Sequence, residues 1–123
     1  MDRSLAMIIL ALSAASASAD NVARVPVNDV RALMVAAIDA PGGDAHGVFV
    51  GSLAQAISQR FRSDAPITID VTTLSRLTQA GCCRLQVVFA QDGVVLPADL
   101  APKRRTVVFD LNYCRDGLPP RAN

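Results

Sequence analysis

The sequence predicts an α+β domain, with two N-terminal helices packed on a small antiparallel sheet of three or four strands in two layers. Three observations predict it. Apolar residues recur every three or four positions through the first half, from Val30 to Phe61. Beyond Ala65 they recur every second position, in separate runs. Pro41-Gly42-Gly43 divides the first half, and Gln91-Asp92-Gly93 supplies turn chemistry in the second. Helical pattern first and strand pattern afterwards is the order of an α+β fold with helices on one face of a sheet.

Residues 20–27 read as an irregular or extended lead-in stiffened by Pro26. Asn28 or Asp29 caps the first helix, whose apolar stripe is Val30, Leu33, Met34, Ala37 and Ile38. A second helix is expected over 45–62, capped by Asp44, with Val50, Leu53, Ala54, Ile57 and Phe61 on its buried side. Ile67, Ile69 and Val71 then alternate with polar residues as a half-buried strand. The stretch 74–81 fits a helical turn or a continuing strand. Cys83, Leu85, Val87 and Phe89 mark the clearest strand, and 94–96 a short returning one. A loop over 97–105 leads to a last strand at 106–113, with Val107, Phe109, Leu111 and Tyr113 on one face. Residues 115–123, with Gly117 and Pro119-Pro120, read as a flexible tail after a single domain at 20–114.

The first nineteen residues read as a secretory signal peptide. Arg3 precedes the apolar run Leu5–Leu12, and Ala17-Ser18-Ala19 is an A-x-A cleavage pattern. The run is shorter than the roughly 20 residues that span a bilayer, so a retained anchor is the weaker reading. Cleavage after Ala19 places the protein in the periplasm or outside the cell, and no stable membrane insertion is expected afterwards.

Export bears on the cysteines, because disulfides persist in oxidising compartments. Cys83 shares parity with Leu85, Val87 and Phe89 and points inward, whereas Cys82 and Cys114 fall on the outer faces of their strands. If those strands pair antiparallel, Cys82 meets Cys114 in a disulfide worth about 2–4 kcal/mol, and Cys83 is left as a buried free thiol. If the short strand at 94–96 lies between them, that pairing fails and Cys83–Cys114 is the alternative. A redox thiol at Cys83, or a soft-metal site on Cys82, Cys83 and Cys114 with His46 in support, is the chemical counterpart.

Little else points to chemistry. Twelve Lys or Arg balance eleven acidic residues, which argues against non-specific binding to nucleic acid or anionic membranes. A lone His46 behind Asp44 makes a poor zinc site or acid–base centre. The serines lack a nucleophile-elbow context, and the aspartates are scattered. No catalytic residue, metal or cofactor is therefore assigned. Gly47 and Gly51 form a G-x-x-x-G read as helix close-packing. Lys103-Arg104-Arg105 is the one basic cluster and a candidate partner-binding site, though such runs are usually solvated. The function these features favour is a small exported, non-catalytic binding or accessory protein contacting another envelope protein. An edge strand, the polar sheet face or the basic loop would serve. The alternative is a periplasmic thiol redox or soft-metal protein.

Overall fold

In a computed structural model of the chain, residues 22–121 are described. The expected signal peptide, its cleavage site and the end of the tail lie outside them. The elements in chain order are β1 (Val25–Val27), α1 (Val30–Asp39), β2 (Asp44–Phe49), α2 (Ser52–Arg60), β3 (Ile67–Arg76), β4 (Cys82–Val94) and β5 (Lys103–Cys114). The strands form one sheet in the order β1-β2-β3-β4-β5. β1 and β2 are parallel, joined through α1, and every other neighbouring pair is antiparallel. Among the described residues the class is α+β with two helices. The sheet is mixed and five-stranded, however, and the helices alternate with strands instead of preceding them all.

The main correction concerns residues 44–50. Asp44–Phe49 is a strand, not the start of a helix. Ala45, Gly47 and Phe49 pair with Val71, Ile69 and Ile67 and share their face of the sheet. Two of those three residues are small, so the alternation carries little hydrophobic contrast beside the helical spacing that follows. That spacing is real from Ser52 onward. Gly51, at φ 104°, occupies a conformation that side-chain-bearing residues avoid, and it separates β2 from α2. Gly47 and Gly51 therefore share no helix face. Gly47 does sit at a close approach: a Cβ there would lie 2.5 Å from Leu33 Cδ1 and 3.0 Å from the Val25 carbonyl oxygen.

α1 begins at Asp29, whose side chain accepts a hydrogen bond from the Arg31 amide at 2.9 Å. Its Leu33, Met34 and Ala37 bury against Ile69, Val71, Leu85, Val87 and Tyr113, forming the core. The short strand expected at 94–96 is absent as a separate element: β4 runs through to Val94, and β5 starts at Lys103, inside the expected loop. β4 and β5 are thus direct neighbours. No helix among the described residues is long and apolar enough to cross a membrane.

Element lengths decide what is left open. α1 has 10 residues, about 15 Å of helix, whereas β4 with 13 and β5 with 12 each extend about 40 Å. One such helix covers less than half of the long strands. Beyond α1, α2 is the one helix among the described residues that borders the helix-side face of the sheet.

Candidate functional site

On that uncovered part of the sheet lies an apolar groove of about 520 Å³. Phe49, Ile67 and Phe89 form its floor, Ile57 and Phe61 of α2 one wall, Val107 and Phe109 of β5 the other, and Leu96 with Arg105 one end. These strand residues share a face because their register is continuous: Ile69 pairs with Phe89, Phe89 with Val107, and Val87 with Phe109. The Phe89 and Phe109 rings stack with centroids 6.0 Å apart.

The α2 wall is fixed by polar contacts at its C-terminal end. Gln91, buried on β4, donates to Ser58 Oγ at 3.1 Å and to the Ala65 carbonyl at 2.9 Å. The Val95 amide donates to the Phe61 carbonyl at 2.9 Å, and the buried Ser63 hydroxyl donates to the Asp92 carbonyl. Arg62, at φ 53°, takes the left-handed position that turns the chain out of the helix. The extra residue that β4 carries between Gln91 and Val94 bends the strand where these bonds form.

Among the described residues β5 is the last strand of the sheet, bonded on one side only, to β4. Val107 is 60%, Val108 54% and Phe109 40% exposed, so apolar side chains are displayed on both faces of an edge strand. The sequence carried a sign of this. Three consecutive apolar residues, Val107-Val108-Phe109, cannot all point into a one-sided core. Phe49, Ile57, Phe61, Phe89 and Phe109 read as ordinary core positions in the sequence, and the groove they make was missed.

No protein family, curated protein or solved structure matches this chain. What the site can do rests on its own chemistry.

The basic cluster belongs to β5. Arg104 pairs with Asp92 at 2.9 Å, and Arg105 with Asp99 at 2.6 Å. Asp99 also accepts from the Leu96 amide at 2.8 Å. That bond and then the Arg105 guanidinium hold its carboxyl below the ordinary range.

The opposite, polar face holds a second cluster. His46 stands mid-strand on β2, not at a helix start, and its partner is Asp70 of β3 at 2.7 Å, not Asp44. Arg24 donates to the same carboxylate at 2.9 Å and to the Gly47 carbonyl at 3.1 Å. Burial opposes ionisation of Asp70, but the bonds from Arg24 and His46 outweigh it and hold the carboxyl below its usual range. The cluster ties the chain entering β1 to β2 and β3. Among the described residues, no three of His, Cys, Asp or Glu are grouped to hold a metal ion.

Cys82 and Cys114 are register partners on β4 and β5 and are joined by a disulfide. Cys83 is a free thiol buried in the core cluster opposite Tyr113. A cleft of about 390 Å³ beside the bridge is lined by Asp39, Arg76 and Arg115 among others, and Arg115 pairs with Asp39 at 3.1 Å. Residues expected in a flexible tail make defined bonds here: Tyr113 Oη donates to the Gly117 carbonyl at 2.6 Å, and the Arg115 amide to Gly81 at 2.8 Å. The residues singled out in the sequence thus scatter: the cysteines lie at one end of the β4–β5 pair, the basic cluster at the other, His46 on the polar face of β2, Gly47 under α1 and Gly51 before α2.

Proposed function

We propose that this protein is a small exported, non-catalytic binding component of the cell envelope. It holds an extended segment of another envelope protein against β5. One observation carries this reading: β5 is a 12-residue edge strand whose exposed Val107 and Phe109 border an apolar groove. An added strand finds unpaired backbone groups along that edge for its hydrogen bonds. Every second one of its side chains points to the groove side, and the alternate ones meet Val108 on the other face. Export is supported by the apolar leader and its Ala17-Ser18-Ala19 cleavage pattern, and the Cys82–Cys114 bridge is compatible with an oxidising compartment.

The experiment is in-cell photocrosslinking, with a benzophenone side chain replacing Thr106, Val108 or Asp110 in turn and Thr72 of β3 as control. The reading expects adducts to one envelope protein from the β5 positions, lost on adding Phe109→Asp, and none from position 72. Absence of adducts from β5, or adducts only between copies of this chain, would overturn it.

A further inference from the structure

We infer that the segment taken up by β5 is the carboxyl-terminal end of its protein, running antiparallel to β5, with its terminal carboxylate received at Arg105. This rests on the strand-addition reading above.

The direction follows from the order of charges along β5. The strand opens with Lys103-Arg104-Arg105 and closes through Asp110 and Asn112. A strand added antiparallel to it ends beside the basic residues, where a carboxylate is favoured. A strand added parallel would place its ammonium group there instead.

Arg105 is the residue positioned to meet that carboxylate. Lys103, Arg105, Val107 and Phe109 have the same parity and so face the groove side, and Arg105 lines the end of the groove itself. Arg104 has the other parity and holds Asp92. Arg105 Nη2 donates to Asp99, while 41% of its side chain stays exposed where it lines the groove. A carboxylate is the acceptor a guanidinium holds most strongly. Asp99 does not cancel the charge of the site, because the same end of β5 also carries Lys103.

The partner's sequence is constrained as well. With its carboxylate at Arg105, the partner residues opposite Val107 and Phe109 lie two positions apart and face the groove. The class is therefore a free C-terminus preceded by large apolar residues at alternate positions, with polar residues between them.

The test uses the purified protein and two fluorescent peptides of one sequence, Val and Phe alternating with Thr, one ending in a free carboxylate and one amidated. Fluorescence anisotropy is expected to give at least tenfold tighter binding for the free acid, a preference that shrinks in high salt. In Arg105→Gln that preference should fall towards one, with the far-UV circular dichroism of the variant checked for folding. The comparison on the unaltered protein does not depend on that variant. Equal binding of both peptides would overturn carboxylate capture and leave strand addition standing. Failure of both peptides to bind at millimolar concentration would overturn both readings. Displacement of the acid peptide by dodecanoate at equal or lower concentration would overturn the peptide assignment and make the groove an acyl-chain site.

Discussion

Phe89 and Phe109 stack across β4 and β5 with ring planes inclined by 18°, and Phe109 keeps 40% of its surface in contact with solvent. Such a ring contributes less to the core than its size suggests. Phe109→Ala is expected to destabilise the fold by about 2 kcal/mol, through the lost stacking and the buried part of the ring. Leu85→Ala, at a fully buried position, should cost about 2–5 kcal/mol. Urea denaturation of the two variants gives the comparison. Binding of the partner segment should follow the opposite order, with Phe109→Ala losing at least tenfold in affinity.

Gly47 is where β2 passes beneath α1 and beside β1. A methyl group there meets Leu33, which is too enclosed to swing aside, and the Val25 carbonyl, which is backbone. Gly47→Ala should therefore destabilise by about 1–3 kcal/mol, the usual cost of overpacking, although alanine is the better strand residue. Thermal unfolding measures it, and a neutral result would mean that α1 shifts freely on the sheet.

The bridge joins Cys82 to Cys114, 32 positions apart in the chain. Cys114→Ser should lower stability by about 2–4 kcal/mol. Cys83, inside the core, should resist alkylation in the native protein and react once it is unfolded. Mass spectrometry of the alkylated peptides separates the two kinds of cysteine. Rapid native labelling of Cys83 would contradict its placement.

Asp70 links Arg24 of the entering chain to His46 of β2. Its carboxyl is held below the unfolded-chain value, so its contribution to stability is fully present above about pH 4. That contribution is lost as pH falls through the folded value, where the native carboxylate takes up a proton. The stability difference between the unaltered protein and Asp70→Asn should therefore shrink as the pH falls below about 4. Asp29, held down to about 2 by Arg31, behaves in the same sense at the start of α1. Melting temperatures across pH 2–7 give the profile, and a difference that grows on acidification would contradict the sign.

The parts of the fold that the sequence made legible are those with strong contrast between faces. Leu33, Met34 and Ala37 announce α1, and Cys83, Leu85 and Val87 announce β4 with its inward parity. β1, three residues long and paired parallel with a strand some 20 positions later, leaves no local trace. β2 was hidden by Ala45 and Gly47, whose small side chains show no alternation, so Asp44 read as a cap and His46 as a helix-end residue. Asp70 had no visible link to His46, because a cross-strand pair exists only once the register is set. The groove depends on how much sheet two short helices leave uncovered, and no residue in it is unusual for a core. Val108, apolar on the polar face, is a local sign of the exposed β5 edge and not of the groove.

Backbone amide exchange followed by NMR tests the β5 edge most directly. In the free protein, the β5 amides that point away from β4 should exchange quickly. On adding the extended apolar peptide they should become protected by tenfold or more, with shifted resonances at Phe109, Val107 and Ile57 and unchanged exchange at β1. Protection confined to β1 or the polar face, or no protection at β5 while the peptide is bound, would contradict the strand-addition account.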